Sequence, residues 1–94
     1  MTRYIAALDQ GTTSTRCLVF DDAGRVAGSH QVEHAQHFPR PGWVEHDPVE
    51  ILSRTDDTIR GALSAAGVRG RDLTAIGLTT QRETIVVWDP ATGE

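Results

Sequence analysis

Residues 4–20 read YIAALDQGTTSTRCLVF. Tyr4 to Leu8 is a short apolar run ended by Asp9, Gln10 and Gly11, the pattern of a buried strand running into a turn. From Ser14 to Phe20 apolar and β-branched residues resume. Asp21, Asp22, Ala23 and Gly24 then supply hairpin-turn chemistry before an extended pattern restarts at Val26. The stretch and its continuation predict three antiparallel strands. His30, Val32 and His34 share one face of the third, with Gln31 and Glu33 on the other, as in a half-exposed edge strand. Metal-ligand spacing for His30, His34 and His37 would require a helix, so these are read as solvated histidines.

Further along, His37 to Pro48 contains three prolines and Gly42, which makes it a loop. It ends in a helix start: Asp47 as N-cap, Pro48 at the first helical position, and Glu50 placed to complete a capping box. Val49, Leu52, Ile59, Leu63 and Ala66 recur at helical spacing, and Gly67 offers a left-handed exit. Glu50 with Arg54 and Asp56 with Arg60 are four apart and can pair on the exposed side. Leu73 to Thr79 reads as a buried strand, parallel to the first because a helix connects it back to the sheet. Thr84 to Trp88 reads as a fifth strand, closed by the turn residues Asp89 to Gly93. Trp43 and Trp88 are expected to anchor packing. Glu45 and His46, just before the helix, are assigned to loop structure.

Composition excludes several functions. The net charge is −4 and the pI about 5.4, so no basic field exists to hold a nucleic acid or an anionic membrane. All nine basic residues are arginine, which excludes chemistry that needs a lysine on a phosphate. The single Cys17, in an apolar stretch, permits no internal disulfide and reads as a buried structural thiol. No apolar run of signal or membrane-span length follows Met1, and a cytoplasmic location is expected.

In open sheets with parallel strands, ligands gather beyond the carboxyl ends of those strands. The first strand ends in Asp9 to Ser14 and the strand after the helix in Gln81, Arg82 and Glu83, so neighbouring strands would put both polar sets on one rim. Gly11 lets the backbone turn tightly, with N–H groups available to an anion and the hydroxyls of Thr12, Thr13 and Ser14 as further donors. Asp9 repels phosphate but can hold a hydrated Mg²⁺ that bridges to it. Arg16 can supply positive charge. Arg82 and Glu83, side by side after a strand, read from the residues alone as a solvated pair.

DQGTTSTR, Asp9 to Arg16, resembles the first phosphate motif of the superfamily that joins sugar kinases, actin and heat-shock-protein ATPases. PGWVEHDP, Pro41 to Pro48, is similar to the carbohydrate kinases within it, and TTQRETIVVWD, Thr79 to Asp89, resembles their glycerol-kinase branch. Thr80 departs from the Asn common there. The resemblance implies an α/β fold of the ribonuclease-H-like, actin-like ATPase type, with residues 1–94 as the amino-terminal part of its first domain. It implies ATP and Mg²⁺ as cofactors and glycerol as substrate. ATP phosphates would be bound by Gly11, Thr12, Thr13, Ser14 and Arg16, the metal by Asp9 through water, and the polyol by Arg82, Glu83 and Thr12. No catalytic residue falls in this segment, the base being expected beyond Glu94, and the full-length enzyme is expected to be a homo-oligomer. Two other classes remain: a non-enzymatic actin-like nucleotide-binding module, which has no use for QRET at Gln81 to Thr84, and a ribonuclease-H-like nuclease, which needs clustered carboxylates and a surface that tolerates a polyanion.

Overall fold

The computed structural model describes residues 2–94. Four strands form one mixed sheet: β1 (Tyr4–Gln10), β2 (Ser14–Phe20), β3 (Val26–Glu33) and β4 (Leu73–Thr80), in the spatial order β3-β2-β1-β4. β1 pairs antiparallel with β2 and β2 with β3, while β4 lies parallel to β1 with Leu8 opposite Leu78 and Gln10 opposite Thr80. The strand order, the antiparallel meander and the parallel return agree with the sequence reading. The hairpin between β2 and β3 closes through Asp21, whose carboxylate accepts from the N–H groups of Ala23 and Arg25, and Gly24 takes the positive φ of 79° that the turn requires.

A single helix, α1 (Pro48–Ala66), connects β3 to β4 and packs on one face of the sheet over β2 and β3. Strand alternation sends Ala6, Leu8, Thr15, Cys17 and Val19 to that face, and with Ala62 of α1 they are the buried centre of the fold. Burial pushes the Cys17 thiol above its ordinary pKa by desolvation, which keeps it the inert thiol expected. Asp47 caps α1, accepting from Val49 N–H at 3.0 Å, and Gly67 closes it at φ 67°. A 3₁₀ turn at Gly70–Asp72, not foreseen in the sequence, leads into β4.

The helix seats closely because the facing residues are small. A Cβ on Gly28 of β3 would stand 2.5 Å from the Ala66 nitrogen and 2.8 Å from the Ala62 carbonyl oxygen, and one on Gly61 of α1 would strike the His30 ring. Thr58 is fully buried because its hydroxyl bonds back to the Arg54 carbonyl at 2.6 Å.

Several expectations are corrected. Residues 84–88 form no strand. They pair with no strand, the outer edge of β4 stays open, and Ile85, Val87 and Trp88 stand 84%, 83% and 62% exposed. β4 itself is exposed on both faces rather than buried, since α1 packs over β2 and β3. Val49 and Leu52, in the first turns of α1, lie 74% and 71% exposed instead of joining the core stripe, Leu52 beside an open cleft that Leu8 and Leu78 also line. Glu50 completes no capping box: its carboxylate accepts from the Ala35 N–H at 2.7 Å and ties the helix start to the chain leaving β3. Arg54 pairs with Asp57 at 3.7 Å instead of Glu50, while Asp56 and Arg60 pair at 2.9 Å as expected, both on the exposed side. Trp43 is 51% exposed and carries the Arg40 guanidinium 4.9 Å from its ring, so neither tryptophan anchors the core.

The two close-approach glycines should respond differently to added volume. Gly28→Ala meets helix backbone that cannot yield without moving α1, and should destabilise by about 2 kcal/mol. Gly61→Ala meets only a side chain that can swing outward, and should cost clearly less. Urea unfolding of the two variants tests the ranking, and equal midpoints would contradict it.

Candidate functional site

The parallel ladder brings together the two polar strand ends. Beyond the last pair, Gln10 with Thr80, the Gln81 N–H donates to the Gln10 carbonyl at 2.9 Å, so the chain leaves both strands at one edge. The turn Gly11 to Ser14 follows on one side of this rim. Gln81, Arg82 and Glu83 follow on the other, where the Thr84 hydroxyl donates to the Gln81 side chain at 2.6 Å. The shared rim agrees with the sequence reading.

Within the turn, the Gly11 N–H donates to the Ser14 carbonyl at 2.9 Å. This corrects one detail of the cradle: that N–H closes the turn and is not aimed at an anion. A glycine is required here by space, not by φ, since a Cβ would lie 3.0 Å from the Ser14 carbonyl oxygen and Gly11 is not among the positive-φ glycines. The remaining turn carbonyls are held by His34, just past β3, and by His46, just before α1. The His34 ring donates through Nε2 to the Gly11 carbonyl at 3.1 Å, His46 through Nε2 to that of Thr12 at 2.9 Å, and the His34 N–H to that of Thr13 at 3.1 Å. The N–H groups of Thr12 and Thr13 have no acceptor among the described residues.

Asp9 and Arg16 lie directly opposite each other on β1 and β2, on the sheet face that α1 leaves open, next to the turn. They form no ion pair within 4 Å, which leaves the carboxylate free. Asp9 is a lone carboxylate here, and no cluster of three or more His, Cys, Asp or Glu with metal-binding geometry occurs among the described residues. Such a site fits a hydrated Mg²⁺ held through water and phosphate oxygens, not an all-protein cage. Arg82 and Glu83 are both exposed. Glu83 borders an open cleft of about 490 Å³ that it shares with Glu45, His46 and Ile51.

His34 and His46 are the site residues that sequence reasoning missed. His34 is 7% exposed, not solvated, and its ring meets that of His46 edge-on at 5.4 Å. Extending the β2–β3 register past Ser14 and Glu33 puts His34 across from Thr13, and that register was the available signal. His30 and His37 are exposed as expected, and His37 forms a two-bond bridge to Glu45 that closes the proline-rich loop.

Residues 4–94 match the model of the FGGY family of carbohydrate kinases, N-terminal domain, and the chain belongs to that family. It is 58% identical over 94 residues to a glycerol kinase of Roseiflexus sp. (strain RS-1), covering all of this chain and 19% of that protein. Against glycerol kinase 1 of Streptomyces coelicolor it is 58% identical over 93 residues, 99% of this chain and 18% of that one. Among solved structures, the Plasmodium falciparum glycerol kinase with ADP superposes with a TM-score of 0.80 at 32% identity, over 99% of this chain and 19% of that chain. A xylulose kinase from Rhodospirillum rubrum matches with a TM-score of 0.82 over 98% of this chain and 19% of that one; at 24% identity it speaks for the fold alone. The fold is therefore of the ribonuclease-H-like, actin-like ATPase type found in the sugar kinases. The chain spans about a fifth of the length of the curated relatives it matches. No helix among the described residues is long and apolar enough to cross a membrane.

Amide hydrogen exchange tests the turn geometry directly. The Thr12 and Thr13 amides should exchange near unprotected rates, whereas those of Gly11 and Gln81, each bonded at 2.9 Å, should be slower. Protection of Thr12 and Thr13 in the ligand-free protein would show that those N–H groups are already engaged.

Proposed function

We propose that this chain is the amino-terminal part of the first domain of an ATP-dependent glycerol kinase, supplying the first phosphate-binding turn and part of the polyol pocket. The observation that carries the reading is the rim where Gly11 to Ser14 and Gln81 to Glu83 meet, held by the Gln81–Gln10 hydrogen bond, in a chain 58% identical to glycerol kinases. ADP in the Plasmodium falciparum relative supports the nucleotide.

The N–H groups of Thr12 and Thr13 and the hydroxyls of Thr12, Thr13 and Ser14 hydrogen-bond the terminal phosphates, while Gly11 keeps the turn tight. Arg16 adds positive charge. Asp9 would hold Mg²⁺ through water, and the ion when bound would supply neutralisation of phosphate charge. Arg82 donates to glycerol oxygens and Glu83 accepts their protons, with Thr12 within the turn available to the same substrate. The pair orients a hydroxyl toward the phosphate turn across the rim. No group of this segment is assigned as the base that takes the hydroxyl proton; it comes from the rest of the enzyme. A cytoplasmic, homo-oligomeric enzyme is the setting this reading adopts.

Two variants of the full-length enzyme test the two halves of the site separately. Gly11→Val forces its side chain against the Ser14 carbonyl and should raise KM for ATP strongly while leaving glycerol binding by the free enzyme nearly unchanged. Unaltered nucleotide kinetics would remove the phosphate assignment. Arg82→Ala should lower kcat/KM for glycerol by about 2 kcal/mol or more, the scale of a charged hydrogen bond lost from a desolvated pocket. Near-normal glycerol kinetics in that variant would return Arg82 and Glu83 to the solvated surface.

A further inference from the structure

The geometry points to His34 and His46 as positioning residues that aim the backbone of the phosphate turn; this rests on the assignment of Gly11 to Ser14 to nucleotide phosphate made above. The argument starts from the peptide group. In a trans peptide plane the C=O and N–H point in opposite directions. The Gly11 carbonyl shares its plane with the Thr12 N–H, and the Thr12 carbonyl shares its plane with the Thr13 N–H. Whatever holds those two carbonyls therefore sets the direction of two successive donors.

Two imidazoles hold them at the shorter distances, with Gln36 Nε2 a longer second donor to the Thr12 carbonyl at 3.4 Å. His34 Nε2 lies 3.1 Å from the Gly11 carbonyl oxygen and His46 Nε2 lies 2.9 Å from that of Thr12. A carbonyl oxygen only accepts, so both rings must carry their proton on Nε2. With the carbonyls drawn toward the histidines, the Thr12 and Thr13 N–H groups face away from them and stay free of internal acceptors. Two adjacent free N–H groups in a turn are the elements of an anion-binding nest.

Each ring is itself held in place. His34 is 93% removed from solvent, its own N–H bonds to the Thr13 carbonyl, and its ring packs edge-on against His46 at 5.4 Å. The His34 Nδ1 has no protein partner, so the Nε2 donation to the turn is the hydrogen bond that orients the ring. His46 is fixed from the other side by the start of α1, where the adjacent Asp47 is the helix cap. The two histidines thus transmit the positions of β3 and α1 to the turn. Neither is expected to touch substrate.

The test uses the full-length enzyme with His34→Leu, His46→Leu, His34→Gln and His46→Gln. Leucine keeps bulk and removes the donor, while glutamine Nε2 can occupy the position of imidazole Nε2. The leucine variants should raise KM for ATP about tenfold, the loss of one oriented hydrogen bond, with KM for glycerol changed less than about twofold. The glutamine variants should restore KM for ATP to within about twofold of the parent. A general packing defect would instead lower kcat or the active fraction, with no difference between Leu and Gln, and that result overturns the proposal. If His34→Leu fails to fold, the partly exposed His46 decides through its own Leu and Gln pair. Asp9→Ala separates this inference from the reading beneath it. A raised KM for ATP in Asp9→Ala with silent histidine variants overturns only the positioning role. An unchanged KM for ATP in Asp9→Ala and Gly11→Val overturns the phosphate assignment and the positioning role together.

Discussion

The parallel ladder between β1 and β4 decides where every polar group of the site can be. A parallel pair cannot be closed by a tight turn, so the chain must leave β3, cross the sheet and return, and α1 is the connection that does so. Because the two strands run the same way and end in register, their carboxyl ends release chain at one edge, and the Gln81–Gln10 hydrogen bond keeps the exits together. An antiparallel β4 would have carried Arg82 and Glu83 to the far end of the sheet. The crossing also needs α1 to lie flat on β2 and β3. It can do so because Gly28, Gly61, Ala62 and Ala66 remove side-chain bulk where helix and strand meet.

Much of this was legible from local chemistry. The Asp21–Gly24 turn, the Asp47 cap and the Gly67 exit each rest on a rule confined to a few neighbouring residues, and each stands where the sequence put it, while β1 and β4 run on past the expected Leu8 and Thr79 to Gln10 and Thr80. Failures came where the outcome depends on which face or edge receives a partner. Val49 and Leu52 carry the right spacing for a core stripe, yet spacing says nothing of how much of the helix the sheet covers. Ile85 to Trp88 have strong β-propensity, but propensity forms no strand without a neighbouring ladder.

At the candidate site the division is similar. Glycine, hydroxyl and charged residues at strand ends are visible in sequence because their chemistry is unusual for a strand. The residues that orient them are not. His34 follows an ordinary edge strand and His46 sits in a proline-rich loop, separated by twelve positions with no spacing that signals contact. Only the β2–β3 register and the return of the loop through the His37–Glu45 bridge bring both rings onto adjacent carbonyls. Glu50 behaves likewise: a residue legible as a cap is used instead to pin Ala35, one residue past His34.

The sheet separates two kinds of work by face. Alternation sends Ala6, Leu8, Thr15, Cys17 and Val19 under α1, where small and apolar side chains supply the cohesion of a modest core. Asp9 and Arg16, one position out of phase, fall on the open face, where a charged pair remains hydrated and free to meet a ligand. The turn between β1 and β2 joins the two environments. Its carbonyls are fixed by groups behind it, and the N–H groups and hydroxyls of Thr12 and Thr13 remain unspent. A loop held only by its own two ends would fluctuate, and its donors would need to be ordered each time an anion arrived. Holding each peptide by its carbonyl places that ordering cost in folding, where the packing of β3 and α1 offsets it.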